Sequence, residues 1–190
     1  MKKDSILKNA LILFGITLIA GLLLGFTYSF TVDAIAEQTK IKTENALAAV
    51  MSNSSFSEYD VDGNVEYITR VYEAVSKDSG EVSGYAFQLE TSEGYDGTIN
   101  MMVGINADGT INGIDIISHT ETPGLGAQAD EDPFKGQFVN KSASLLSLVK
   151  GNSNDQNIDA IGGATITSAA VTNAVNEAII YYNDIIKEGN

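Results

Sequence analysis

Two threonines, Thr165 and Thr167, follow a glycine pair in the stretch Asp159-Ala-Ile-Gly-Gly-Ala-Thr-Ile-Thr-Ser168, which runs directly into an amphipathic segment. A threonine oxygen can carry a phosphoester. A helix start favours phosphate, because its first N–H groups lack partners and carry partial positive charge. Gly162 and Gly163 permit backbone conformations closed to other residues and leave the Thr165 hydroxyl reachable by another protein. The same residues also suit a plain helix start, in which Thr167 or Ser168 caps a helix beginning near Ser168. Spacing alone leaves both readings open.

A second group of chemically useful residues spans His119 to Phe134, His-Thr-Glu-Thr-Pro-Gly-Leu-Gly-Ala-Gln-Ala-Asp-Glu-Asp-Pro-Phe. Here a histidine, a glutamate and two threonines lead into a turn where Gly124 and Gly126 would let a flat ligand approach the backbone. An ordinary loop stiffened by Pro123 is the other reading. Gly124 to Ala129 matches G-x-G-x-x-G/A in letters, but no convincing strand precedes it and no helix follows. His119 is the only histidine and cysteine is absent. The usual ligands of iron–sulfur clusters, c-type haem and structural zinc are therefore missing, and no metal site is assigned. An electron carrier of this composition would need an organic cofactor. The net charge of −14 disfavours nucleic acid as a partner.

The elements that must position these groups are legible in part. Asn9 to Val32 carries no charged residue and is long enough to cross a hydrocarbon core of about 30 Å as a helix. Lys2, Lys3 and Lys8 precede it against Asp4 alone, which orients the N-terminus to the cytoplasm and the acidic remainder outside. Ala34-Ile-Ala36 resembles a signal-peptide cleavage site, but the apolar run exceeds a signal peptide's usual core of about 7–15 residues. Good helix formers from Asp33 to Met51 extend the span as a stalk, and residues 52–64 break it, with a turn at Asp60-Val-Asp-Gly-Asn64.

Val65 to Ser76 and Gly84 to Thr91 read as strands. Ile99, Met101, Val103 and Ile105 alternate before a turn at Ala107-Asp-Gly109, giving an antiparallel hairpin that continues through Ile111, Ile114 and Ile116. A short helix is expected near Ser142 to Lys150. In the last segment Val171, Ala174, Val175, Ala178, Ile179, Tyr182, Ile185 and Ile186 form one apolar helical stripe. Grouped antiparallel strands with flanking helices describe an α+β fold. The expected division is residues 1–32 as cytoplasmic N-terminus and transmembrane anchor, 33–60 as helical stalk, and 61–190 as an extracytoplasmic domain.

Asp159 to Thr165 resembles the motif Asp-x-x-(Ser/Thr)-Gly-Ala-Thr of proteins that carry FMN through a phosphoester on the final threonine. Gly162 stands where that family has serine or threonine. Together with Gly94 to Gly126 and Leu22 to Thr39, the motif makes the chain similar to the RnfG family, the flavin-bearing component of the Rnf electron transport complex, over nearly its whole length. The resemblance implies that a magnesium-dependent flavin transferase uses FAD to attach FMN to the Thr165 oxygen. It further implies that the flavin relays electrons, with other subunits, between reduced ferredoxin and NAD, coupled to Na⁺ or H⁺ movement across the membrane. Asp159, Gly163 and Ala164 are the implied recognition elements for the transferase, and Glu121, Thr122, Gly124, Leu125 and Thr167 the implied flavin neighbours. No residue of this chain is assigned a catalytic role. The homologous C component of the Na⁺-translocating NADH:quinone reductase, generally longer, shares the motif. A membrane-anchored binding module without redox chemistry and a domain holding FMN noncovalently are the remaining alternatives.

Overall fold

The computed structural model describes residues 3–60, 66–151 and 154–187. The chain divides into two units, Met1–Lys42 and Thr43–Asn190. Helix α1, Lys3–Val50, supplies all of the described part of the first. It is long and apolar enough to cross a membrane, and none of its most apolar window is covered by protein. Leu22, Leu23 and Leu24 are all exposed, as a lipid-facing surface requires. Threonines inside the run return their hydroxyls to the preceding turn, Thr17 to the Leu13 carbonyl and Thr27 to that of Leu23, so their polarity is satisfied within the helix.

The second unit is built on a five-stranded antiparallel sheet in the order β1-β2-β3-β4-β5. The strands are β1 (Ser54–Tyr59), β2 (Ile68–Ser76), β3 (Val82–Thr91), β4 (Ile99–Asn106) and β5 (Ile111–His119). Register is set by pairs such as Tyr72↔Ala86, Phe87↔Val103 and Val103↔Ile114. The 3₁₀ turn Gly126–Asp130 follows, then the short α2 (Asp132–Lys135), a second 3₁₀ turn (Gly136–Phe138), β6 (Ser147–Val149), β7 (Asn157–Asp159) and α3 (Thr165–Tyr181). A π-type turn over Tyr182–Lys187 closes the described chain. Helices on both flanks of an antiparallel sheet make this an α+β fold with one long N-terminal apolar helix.

Period-two alternation sorts the sheet's residues between two cores. Phe87, Leu89, Met101, Val103 and Ile105 face α3, where they meet Val171, Ala174, Val175, Ala178 and Ile179. The opposite face carries Ala74, Ala86, Met102 and Ile117 against Ala46, Leu47 and Val50 from the last turns of α1 and against Met51. Its small residues allow close approach: a Cβ on Gly104 would lie 2.6 Å from the Val50 carbonyl oxygen. Asn112 donates its side-chain amide to that same carbonyl, closing the helix end.

Three sequence expectations change. Ser54–Tyr59, read as a break, is edge strand β1, held by pairing to β2. The helix expected over Ser142 to Lys150 does not form. Asn176 instead clamps the Leu146 backbone on both sides, its amide oxygen accepting from Leu146 N–H at 2.8 Å and its amide nitrogen donating to the carbonyl at 2.9 Å. Ser147–Val149 then pairs in parallel with Asn157–Asp159. Helix α3 also begins three residues before Ser168. The turn at Ala107-Asp-Gly109 forms as expected, with Gly109 at φ +83°. Val65 and the turn residues 61–64 lie outside the described residues.

Candidate functional site

The segment after β7 turns through Gly162 and Gly163 into α3. Gly163 has φ +81°, a conformation that costs other residues, and a Cβ there would come within 3.2 Å of the Leu125 side chain. Nothing stands within 4 Å of where a Cβ on Gly162 would go. Ala164 occupies the N-cap position with no side-chain capping bond, so the first N–H groups of α3 are left uncapped by any side chain. Thr165 is the first helical residue, and it is exposed.

Thr167 and Ser168 do not cap the helix. Ser168 is buried, accepts the Ile161 N–H at 3.0 Å and donates to the Ala164 carbonyl at 2.9 Å, binding the loop to the first turn. Thr167 is fully buried and donates its hydroxyl to Oε2 of Glu121 at 2.6 Å. Glu121 is itself only 4% exposed, and its Oε1 accepts the Asp96 N–H at 3.2 Å. Both carboxylate oxygens therefore accept hydrogen bonds. Glycines shape the space around this carboxylate. A Cβ on Gly126 would lie 2.2 Å from Oε2, and one on Gly94 2.6 Å from Oε1.

These pieces enclose a cavity of about 410 Å³ lined by Tyr95, Glu121, Thr122, Leu125, Gly126, Lys150, Gly163, Ala164, Thr165, Ile166 and Thr167. Its rim is apolar and open, with Tyr95 at 70%, Ile166 at 53% and Leu125 at 45% exposure. The loop bearing Tyr95 is tied down from several sides. Thr120 donates to the Asp96 carbonyl at 2.6 Å, and Glu93 accepts from Tyr67 at 2.9 Å and from Asn173 of α3 at 3.1 Å. Lys150, at the end of the β6 segment, is the cation in the lining.

Thr165, Gly163, Ala164, Thr167, Glu121, Thr122 and Leu125 thus meet at one cavity. Gly124 does not line it; at φ +75° it turns the chain, and its carbonyl accepts the Gln128 side chain at 2.8 Å. Asp159 lies on the other side of Thr165, in a smaller cavity of about 230 Å³ that Lys150, Gly162 and Gly163 also border. Its carboxylate accepts the Gly151 N–H at 2.5 Å, while Gln137 grips its backbone, accepting from the N–H at 2.7 Å and donating to the carbonyl at 3.2 Å. Sequence reasoning missed Tyr95, Ile166, Lys150 and the steric role of Gly126. Tyr95 had a local signal, an aromatic residue in Gly94-Tyr-Asp-Gly97. Lys150 had none, because only the parallel pairing of β6 with β7 brings it beside Thr165.

A cavity of this size with apolar walls and few polar groups suits a flat aromatic cofactor. The hydroxyl, the uncapped helix start and Lys150 suit a phosphate at its edge.

Residues 94–180 match the family model of the FMN-binding domain, and residues 1–50 match that of the RnfG N-terminal region. The chain is 37% identical over 161 residues to the G subunit of the proton-translocating ferredoxin:NAD(+) oxidoreductase complex of Clostridium ljungdahlii, covering 85% of this chain and 83% of that one. It is 36% identical over 197 residues to the G subunit of the Na(+)-translocating ferredoxin:NAD(+) oxidoreductase complex of Acetobacterium woodii, covering 96% and 94%. The fold is shared with the crystal structure of the C subunit of Na(+)-translocating NADH-quinone reductase from Parabacteroides distasonis. There the TM-score is 0.58 at 22% identity, covering 78% of this chain and 94% of that one.

Proposed function

The chain belongs to the RnfG family of ion-translocating oxidoreductase complexes, and from that premise we propose that it carries FMN as a phosphoester on Thr165 and relays electrons within a membrane-bound ferredoxin:NAD⁺ oxidoreductase. One observation supports this above the rest: the exposed Thr165 hydroxyl stands at the uncapped start of α3, on the lip of the 410 Å³ cavity. FMN, when bound, supplies a ring system that takes up and releases electrons.

The protein's residues divide the remaining work. Thr165 provides the ester oxygen, and the first N–H groups of α3 with the Lys150 ammonium offset the phosphate charge. Tyr95, Leu125 and Ile166 offer apolar surface to the faces of the ring. Glu121, Thr122 and Thr167 line the cavity beneath. Gly163 and Ala164 give the turn the shape a flavin transferase must recognise, and Asp159 holds that turn through the Gly151 N–H. The apolar helix α1 anchors the chain, with its N-terminus in the cytoplasm and residues 61–190 outside. Residues 33–60 follow the anchor, and within them the last turns of α1 pack on the sheet of the flavin domain and strand β1 pairs into it.

Co-expression with a flavin transferase, followed by denaturation, tests the attachment. Flavin fluorescence stays with the wild-type polypeptide and disappears from Thr165→Ala. Fluorescence retained in that variant would sink the assignment. Protease added to intact cells removes the flavin domain, and protection of it would reverse the orientation.

A further inference from the structure

We propose that Glu121 is the fixed negative charge that makes flavin in this cavity harder to reduce, and that Thr167 and the Gly94–Gly126 cradle exist to hold that charge in place. This rests on the flavin-site reading. It adds a role that hydrogen bonding to a cofactor would not by itself supply.

The argument starts from where the carboxylate is. Glu121 is 4% exposed and lines the cavity, yet its hydrogen-bond partners are neutral: the Thr167 hydroxyl on Oε2 and the Asp96 N–H on Oε1. No ion pair to it is found among the described residues. A buried carboxylate held by neutral donors has no ion-pair partner, so its field, opposite in sign to that of Lys150 elsewhere in the lining, acts on anything placed beside it in the cavity. Charge added to a ring beside it is opposed, so the potential falls.

The surroundings prevent the carboxylate from moving away. Side chains larger than hydrogen at positions 94 and 126 would strike its oxygens. Its own backbone N–H donates to Nδ1 of His119 at 3.1 Å, which fixes the start of the loop. Thr167 comes from α3 and Asp96 from the Tyr95 loop, so the carboxylate is gripped from two separate elements. A residue meant only to fill the floor would not need a charge there, since a buried charge is costly.

The test is a spectroscopic redox titration of flavin-loaded full-length protein. Glu121→Gln keeps the shape, with the amide oxygen able to accept from Asp96 and the Thr167 hydroxyl able to accept from the amide nitrogen. Its midpoint potential rises, and Glu121→Asp, which keeps the charge, stays closer to wild type. Thr167→Val strips a donor from Oε2, leaves the charge less dispersed and lowers the potential. Equal potentials in wild type and Glu121→Gln overturn the proposal, as does a rise in Glu121→Asp as large as that in Glu121→Gln, or an unchanged potential in Thr167→Val. Failure of the flavin-site reading looks different, since no flavin would then stay with the denatured wild-type chain.

Discussion

Thr165 and Thr167 stand two positions apart in the first turn of α3 and belong to different worlds. Thr165 is on the rim of the cavity with Tyr95, Leu125 and Ile166, all exposed; Thr167 is on the floor with Glu121 and Gly126, all buried. The rim offers apolar surface and a free hydroxyl, whereas the floor is a closed set of hydrogen bonds and steric contacts. Chemistry that needs access can occur only on the rim. Stability resides in the floor, so the same substitution costs more there than on the rim.

The floor breaks most severely at Gly126. A methyl group there would lie 2.2 Å from Glu121 Oε2 and 2.7 Å from Thr167 Oγ1, and neither atom can swing away without giving up its buried bond. Gly126→Ala should cost about 2–4 kcal/mol, read as a drop in thermal midpoint of the full-length protein in detergent. A smaller contrast comes from the threonines themselves. Thr167→Val leaves a buried carboxylate oxygen short of a donor and costs about 1–3 kcal/mol. Thr165→Val changes stability by less than about 0.5 kcal/mol. Similar melting losses in both variants would erase the division between rim and floor.

The glycine pair carries the comparison one step down in size. Gly163 holds φ +81° beside Leu125, so Gly163→Ser should cost about 1 kcal/mol. Gly162 faces open space with no positive φ, so Gly162→Ser should melt with wild type while adding a hydroxyl to the turn. Flavin attachment to Gly162→Ser, compared with wild type, measures whether that hydroxyl matters to the transferase.

Legibility followed the range of the interaction that decides each feature. Strands β4 and β5 were readable because Ile99, Met101, Val103 and Ile105 alternate and Ala107-Asp-Gly109 turns, all within a local window. Edge strand β1 was not, because Ser-Ser-Phe-Ser-Glu-Tyr has little apolar alternation and takes its shape from β2. Leu145 and Leu146 suggested a helix until Asn176, 30 residues away, claimed the Leu146 backbone. The site divided the same way. Thr165 and Gly163 were visible in a motif, while Lys150 and the Glu121–Thr167 bond depend on contacts that no local window contains.

The smallest expected effect tests whether the rim is held or loose. Glu93, in the loop carrying Tyr95, accepts from Tyr67 on one side and from Asn173 of α3 on the other. Its hydrogen bond, aided by burial and by the charge of Glu93 itself, pushes the Tyr67 phenol up to about 12, because ionisation would set a phenolate against a carboxylate. Between the ordinary value of 10 and about 12 the unfolded chain has lost this proton and the folded one has kept it. The contribution to stability is therefore complete below pH 10 and disappears as pH rises through the folded value. Ultraviolet titration of the phenolate band should show Tyr67 among the late-ionising tyrosines, beside Tyr182, whose phenol burial also pushes up; the Tyr67 component is lost in Tyr67→Phe and returns toward the ordinary value in Glu93→Gln. The floor should survive Glu93→Gln, since none of its bonds passes through Glu93, so the thermal midpoint should move little. If Tyr67 ionised with the other tyrosines in the wild type, the loop would lack this anchor, and Tyr95 would be poorly fixed to meet a ring across the cavity.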